Sequence, residues 1–195
     1  MKRTIILMVA GIFVFAMSPV WAMDGATMSK IERVTNEKIV ALAKDTIVVD
    51  AVKEANKTAT KSLEEIVKLD KRWRATDGVD AWIGGFLNNP CAMYLKKVQY
   101  MHKKRGRLLY SEIFVMDKQG NIVAESNKTS DYWQGDEAKF TKSFADGKGT
   151  IFIDKPSFDE STQTYLVQVS VPVLDPYTGG AIGAMTVGVN LEALD

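Results

Sequence analysis

The feature that most constrains this chain is a change of hydrophobic period near residue 110. Before it, apolar residues recur at helical spacing; after it, they form short alternating runs separated by turn residues. The predicted order is a long helix, further helices, two strands, a helix and three strands. Because short turns link successive strands, we expect one antiparallel sheet. The pattern therefore predicts an α+β fold of PAS-like shape, with a five-stranded antiparallel sheet, a long N-terminal helix and flanking helices.

The N-terminal half is predicted to be helical. One apolar face runs through residues 28–55, and Asn56 and Thr58 interrupt it. Ser62 stands three residues before Glu65, a capping-box arrangement that predicts a second helix to about Trp73. Shorter helices are predicted at 79–87 and 91–102. We therefore expect a helical region, residues 23–109, to pack on a sheet core, residues 110–195.

Turn residues divide the C-terminal half. The segment DKQGN at 117–121 separates two β-type runs within 111–126, which predicts a hairpin. A helix is expected over 136–145, and strands over 149–154, 164–175 and 181–191. Residues 156–162 and 176–180 are the predicted turns between these strands.

Residues 1–22 have the three-part layout of a secretory signal peptide. Lys2 and Arg3 precede an uncharged run, and Val20-Trp21-Ala22 resembles a cleavage site. The apolar stretch Ile5–Met17 is shorter than the roughly 20 residues that span a bilayer. We expect cleavage after Ala22 and a periplasmic or secreted protein. The alternative is retention of residues 4–22 as an inner-membrane anchor.

Charge and motifs exclude several function classes. The chain has 25 basic and 24 acidic residues, so no basic face for nucleic acid is indicated. Cys91 is the only cysteine and His102 the only histidine. Their spacing does not match that of a known catalytic pair of nucleophile and base. No phosphate loop or metal-ligand motif occurs. We therefore predict a protein that is not an enzyme and has neither cofactor nor metal.

Two segments resemble the Cache (PDC) family of PAS-like extracytoplasmic sensor domains. They are FVMDKQGNIVAES (114–126) and VSVPVLDPYTGGAIGAMTVGV (169–189), with Asp117, Gly120, Pro172, Asp175 and Gly183 at the matching turn positions. The resemblance implies a small-metabolite pocket between the sheet and the segment that joins the second and third strands. It also implies a link to signalling. Because no output domain is visible in the sequence, we expect a free-standing domain that signals through a separate membrane-bound receptor or kinase.

The segment TSDYWQGDEAKF, residues 129–140, lies where the resemblance places the pocket lip. Amino-acid-binding relatives use an arginine near this point, but no arginine follows Arg107. Acidic side chains beside aromatic faces suit a cationic amine. A zwitterion would need a second, positive contact, for which Arg105, Arg107 and Lys155 are candidates.

A structural role for the same residues remains open. Asp136 can cap the predicted helix, and Asp131 can stabilise a turn. Period-two alternation puts Tyr165 and Gln168 on opposite faces of their strand, and of the two we favour Tyr165, together with Asp154. The predicted ligand-binding residues are Asp131, Tyr132, Trp133, Asp136, Phe152, Asp154, Tyr165 and Arg107.

The sequence thus predicts a sensory domain that binds an amine or an amino-acid-like metabolite. The alternative is a non-catalytic interaction protein without a physiological small ligand. In that case the amphipathic helix over 28–55 would be the functional surface, docking on a partner or on a second copy as a homodimer.

Overall fold

A computed structural model describes residues 23–159 and 164–194 of the chain. Residues 1–22, with the predicted signal peptide, lie outside the described part. The described helices are α1 Gly25–Val34, α2 Val40–Ala43, α3 Thr46–Lys57, α4 Leu63–Ala75, α5 Ala81–Asn88, α6 Pro90–Met101 and α7 Ala138–Phe144. The described strands are β1 Lys103–Lys104, β2 Arg107–Leu108, β3 Tyr110–Met116, β4 Ile122–Glu125, β5 Phe152–Ile153, β6 Ser157–Asp159, β7 Thr164–Leu174 and β8 Ala181–Asn190.

The N-terminal helical segment differs from the prediction in one respect. A π-helical turn, Thr35–Ile39, joins α1 to α2, but the chain then breaks at Lys44 and Asp45 before α3 begins. The Asp45 side chain accepts a hydrogen bond from the amide of Ile47 and so caps α3. The predicted interruption after α3 is confirmed, and Ser62 and Glu65 form the capping box of α4.

The α+β fold is confirmed. The main sheet is antiparallel and follows the order β4-β3-β8-β7-β5, and the short β6 pairs with the same strand, β7, as β5 does. The central pair is long: β7 and β8 are aligned from Leu166–Asn190 to Leu174–Ala181. The predicted hairpin is formed by β3 and β4, with a bulge between Val115 and Met116.

The segment 156–162 was predicted as a turn, and the structure shows that this is wrong for its first part. Ser157, Phe158 and Asp159 form β6, opposite Leu166, Tyr165 and Thr164 of β7. β5 and β6 lie along the same edge, separated by Asp154-Lys155-Pro156. Proline has no amide hydrogen for a ladder, so it divides one edge into two short strands.

One face of the sheet packs on the N-terminal helices. Alternate strand residues such as Ile113, Val169 and Val187 are fully buried there, with 0% of their surface exposed. The helices supply the other half of this core with the apolar residues Ile31, Ile39, Val48, Val52 and Leu95. The apolar face predicted for residues 28–55 is therefore used inside the domain.

The opposite face of the sheet packs on α4, α5 and α7. Its apolar part joins Phe114, Met116 and Ala184 of the strands to a second cluster, made of Trp73, Ile83, Leu87, Ile122, Tyr132 and Phe140. Towards one end this second face carries polar side chains. The face that packs on the N-terminal helices does not. Within the described residues, no helix is long and apolar enough to cross a membrane.

Candidate functional site

A cavity of about 500 Å³ opens on the polar end of this second face. Glu112 of β3 and Leu166 and Gln168 of β7 line it from the sheet, and β6 forms one edge. Arg74 of α4 and residues 128–130 also line it. We call this space the site cavity, and the segment Ser126–Asp131 the site loop. Its volume is within the range of small-molecule pockets, which span roughly 300–1,000 Å³.

A glycine allows the sheet to present a polar pair at the cavity floor. Gly188 of β8 is the register partner of both Glu112 and Gln168, so those two side chains flank it from either side. The Gln168 amide Nε2 donates a hydrogen bond of 2.8 Å to Glu112 Oε1 across the central strand. A Cβ on Gly188 would lie 2.7 Å from Glu112 Cγ, so only glycine leaves this path open. Burial raises the pKa of Glu112, against the hydrogen bond from Gln168, which lowers it.

The cationic wall of the cavity comes from Arg74 and Lys128. Arg74 Nη2 is paired with Asp70, and its Nε lies 3.3 Å from Asp131 Oδ1. Hydrogen bonding to Asp70 and the charges around it raise the pKa of Arg74. Lys128 Nζ donates to the carbonyl of Thr76 at 2.7 Å. The lining thus holds two fixed cations, Arg74 and Lys128, besides the carboxyl groups of Glu112 and Asp159.

The site loop is anchored to the buried carboxyl of Glu125, the last residue of β4. Glu125 Oε2 accepts a hydrogen bond of 3.0 Å from the amide of Thr129. The carbonyl of Thr129 accepts a 2.8 Å hydrogen bond from the indole of Trp73. Burial raises the pKa of Glu125 to about 7. The loop that lines the cavity is therefore fixed from β4 and from α4.

Of the predicted residues in segment 129–140, Asp131 is connected to the site cavity by its ion pair with Arg74, which lines it. Tyr132 is buried in an aromatic cluster with Trp73, Trp82 and Phe86, at centroid distances of 5.5 to 5.8 Å. Trp133 donates from Nε1 to the carbonyl of Gln119 at 2.9 Å. Asp70 accepts from the amides of both Tyr132 and Trp133, so these two aromatic residues secure the loop against α4 and the β3–β4 turn.

The structure places Asp136, Phe152 and Asp154 outside the lining of the site cavity. Asp136 is exposed, and α7 begins after Glu137 without a side-chain cap. Phe152 lies beneath the amine of Lys142, which is 4.5 Å from its ring centroid. The amide of Asp154 donates to the carbonyl of Gln168, and its carboxylate accepts from the amide of Lys155.

Tyr165 and Arg107 lie at another part of the surface. Tyr165 borders a separate cavity of about 400 Å³ together with Met23, Thr27 and Leu191. Glu192 borders the same cavity and forms an ion pair of 3.1 Å with Arg107. Alternation along β7 explains the separation, because Tyr165 points to the face opposite Gln168, as predicted.

Sequence reasoning did not assemble the cavity that the fold creates. Glu112, Lys128 and Arg74 are not among the ligand-binding residues predicted from the sequence. A usable signal was Gln168, a polar residue within a strand of mostly apolar residues. It indicates that one face of this strand is not wholly buried in the apolar core. The meeting of Arg74 with the site loop, more than fifty residues later, had no local signal.

Two of the motif aspartates have turn roles. Asp117 Oδ1 accepts from the amides of Gln119 and Asn121, and Gly120 follows with a φ of 80°. Asp175 Oδ1 accepts from the amides of the next turn, and its Oδ2 lies 2.9 Å from Lys53 Nζ. These motifs build the hairpins that frame the sheet.

No family model and no curated protein matches the sequence. Among solved structures, the chain is similar to the sensor domain of the V. cholerae histidine kinase DctB, with 17% identity, a TM-score of 0.44, and coverage of 87% of this chain and 56% of that one. It is also similar to the ligand-binding domain of the Campylobacter jejuni chemoreceptor Tlp3 in complex with 4-methylisoleucine, with 13% identity, a TM-score of 0.40, and coverage of 88% and 62%.

A third similar structure is the ligand-binding domain of the Pseudomonas aeruginosa amino acid chemoreceptor PctC in complex with GABA, with 15% identity, a TM-score of 0.38, and coverage of 84% and 63%. The chain thus spans between about half and two thirds of the length of these structures. All three are sensor or ligand-binding domains of kinases and chemoreceptors. The likeness is one of architecture, so the functional argument rests on the site cavity itself.

Proposed function

We propose that this protein is an exported, Cache-type sensory domain that binds a small amino-acid-like zwitterion in the site cavity. The observation that carries the proposal is that groups of both charges line one cavity, the cations Arg74 and Lys128 together with the carboxyl groups of Glu112 and Asp159. A ligand carboxylate would face the guanidinium and the ammonium groups, and a ligand amine would face Glu112. Phe158 and Leu166 offer apolar surface to a ligand side chain.

A zwitterion suits this arrangement better than the simple amine that the acidic loop suggested. Asp131 and Asp70 are already paired with Arg74, so they balance its charge and are not aimed at a ligand amine. A ligand with only one charge would use the groups of one sign in the lining and leave those of the other sign without a ligand contact. The second positive contact, sought in Arg105, Arg107 or Lys155, is supplied on this proposal by Arg74 and Lys128.

Signalling would use the strands that separate the cavity from the N-terminal helices. Glu112 and Gln168 lie on β3 and β7, whose opposite faces pack on α1–α3. A ligand that shifts these strands would shift the helices, and a separate receptor or kinase could detect that movement. The interaction-protein alternative is less favoured, because Ile31, Leu42, Val48 and Val52 of α1–α3 are buried in the domain's own core. A homodimer through the outer surface of these helices stays a prediction.

The test is a thermal-shift screen of the protein against the amino acids, with matched amines and carboxylates that each lack one charged group. A ligand at about 100 times its dissociation constant stabilises the folded state by about 2.7 kcal/mol. Amino acids should raise the melting temperature and the one-charge analogues should not. Melting temperatures unchanged by every amino acid would contradict the proposal.

Glu112→Gln tests the predicted amine contact. The substitution keeps the size of the side chain and removes its charge, so affinity should fall about ten- to a hundredfold, the worth of a hydrogen bond to a charged group. Glu192→Gln is the matched control, because Glu192 lies at the other cavity. Affinity should stay unchanged in the control, and equal losses in both variants would refute the assignment of Glu112.

A further inference from the structure

Glu125 is a buried acid with an unusual set of partners. None of its surface is exposed. Its Oε2 accepts from the Thr129 amide at 3.0 Å and lies 2.9 Å from Thr129 Oγ1. Its Oε1 is buried and has no hydrogen-bond partner among the described residues. An ionised carboxylate with one unpartnered oxygen would be costly at such a position.

The hydrogen count around Thr129 indicates where a proton lies. Thr129 Oγ1 is also 2.8 Å from the carbonyl oxygen of Asp131, which accepts a second hydrogen bond from Gln134 Nε2 at 2.9 Å. A threonine hydroxyl has one proton, and a carbonyl oxygen can only accept. If Thr129 donates to Asp131, its short contact with Glu125 requires a proton on the carboxyl of Glu125. A protonated carboxyl oxygen can donate to Thr129 Oγ1 and still accept from the Thr129 amide.

The charged groups that act on Glu125 come from few elements. Lys128 of the site loop lowers its pKa and Glu112 of β3 raises it, both by less than burial does. On α4, Asp70 and Arg74 are paired with each other. α5 has no charged side chain, and Lys96 of α6 donates to the carbonyl of Leu87. Asp50 and Glu54 of α3 border another cavity, which Val123 also lines. Val123 packs with the core between the sheet and the N-terminal helices, on the other side of β4.

We propose that Glu125 is protonated in the arrangement described here, and that loss of this proton breaks the hydrogen bond between Thr129 and Asp131 in the site loop and so makes binding in the site cavity dependent on pH. The binding consequence rests on the proposed function; the protonation of Glu125 does not. On ionisation, the Thr129 hydroxyl turns to the carboxylate and leaves the carbonyl of Asp131. The protein thereby gains a response to pH near neutrality, where the ordinary glutamate does not titrate.

The coupling to the cavity follows from the contacts of two loop residues. Thr129 lines the cavity and is held at its amide, its hydroxyl and its carbonyl, the last by Trp73. Asp131 is paired with Arg74 on the cationic wall. A change at Thr129 therefore moves the cavity lining directly, and a change at Asp131 moves the guanidinium expected to hold a ligand carboxylate.

The test is an NMR titration of the protein without ligand between pH 4 and pH 9. The carboxyl carbon of Glu125, assigned through bonds to its backbone amide, reports its protonation. The shift of the Trp73 indole N–H reports its hydrogen bond to the Thr129 carbonyl. The indole N–H of Trp133, which donates to the Gln119 carbonyl instead, is the internal control. We expect the Glu125 carbon and the Trp73 indole to change together with a midpoint near pH 7, in line with the raised pKa of Glu125, while the Trp133 indole does not follow.

Glu125→Gln should abolish the change at the Trp73 indole, and Glu192→Gln should leave it intact. The inference would be overturned if the Glu125 carboxyl carbon titrated with a midpoint at pH 5 or below. It would also be overturned if the shift of the Trp73 indole N–H did not change as Glu125 titrates. The wild-type titration decides the matter even if Glu125→Gln does not fold. Because no ligand is used, failure here is separate from failure of the amino-acid screen, which would overturn the proposed function alone.

Discussion

The two faces of the same sheet differ in what they bury. On β7, Val167, Val169, Val171 and Val173 face the N-terminal helices and are at most 1% exposed. The alternate residues of the same strand include Gln168, bonded to Glu112, and Ser170, bonded to the hydroxyl of Thr186 at 2.9 Å. One face thus forms an apolar core, and the other retains buried polar groups. Such groups are costly unless they are paired, which is why this face is the better candidate for function.

The largest expected effect is a loss of stability when a residue of the apolar face is truncated. Ile113→Ala removes a fully buried side chain of β3 and should lower the free energy of unfolding by about 2–5 kcal/mol, because a cavity is left in the core. Ile151→Ala is the matched control. That isoleucine is 46% exposed and should cost under about 1 kcal/mol. Denaturant unfolding measures both, and similar losses at the two sites would contradict the description of this core.

The second largest expected effect is a pH dependence of stability that arises on the polar face. The pKa of Glu125 is raised from an ordinary value of 4.5 to about 7, so the folded state holds a proton that the unfolded state has released in this range. The stabilisation is complete below about pH 4.5 and is lost as pH rises to about 7. The contribution of Glu125 to the free energy of unfolding should therefore fall by about 3 kcal/mol across this range.

This pH dependence can be isolated by comparing the wild-type protein with Glu125→Gln in urea at several pH values. The glutamine side chain in this variant does not titrate, so the stability of the wild type minus that of the variant should fall as pH rises from 4.5 to 7. Burial also raises the pKa of Glu112 and Asp117. Both groups are present in the two proteins, so the difference removes their contributions apart from the charge coupling between Glu112 and Glu125. Parallel curves would show that Glu125 titrates normally.

The smallest expected effect on stability tests the glycine that opens the cavity floor. In Gly188→Ala, the new Cβ would meet Glu112 Cγ at 2.7 Å, so the Glu112 side chain, which Gln168 holds by a hydrogen bond, must shift. We expect binding of an amino-acid ligand to weaken more than the stability falls. Gly85→Ala on α5 is the control, because a Cβ there meets nothing within 4 Å. Calorimetry would contradict the proposal if both variants bound alike.

Sequence reasoning reached the elements whose signals are local. The capping box of Ser62 and Glu65 and the Asp117 hairpin each lie within a few residues, so their chemistry could be recognised directly. β6 was missed because three residues after Pro156 carry too little pattern to distinguish a strand from a turn. The strand becomes defined only by its pairing with β7.

The site was harder to predict because its charges come from distant parts of the chain. Glu112, Lys128 and Gln168 meet Arg74 only after the sheet has formed and α4 has packed on it. Tyr132 and Trp133 drew attention as adjacent aromatics in a polar segment, but their surroundings are supplied by α4, α5 and the β3–β4 turn. Sequence alone cannot distinguish an aromatic residue that lines a pocket from one that closes a core.

The most direct test of the central claim is to map where amino acids bind. Backbone amide NMR shifts of the isotopically labelled protein would be recorded with and without a mixture of the twenty amino acids at neutral and lower pH. The account predicts that the largest changes fall on Glu112, residues 128–130 and Gln168. Changes centred instead on Met23, Thr27 and Tyr165, or no changes at any residue, would contradict it.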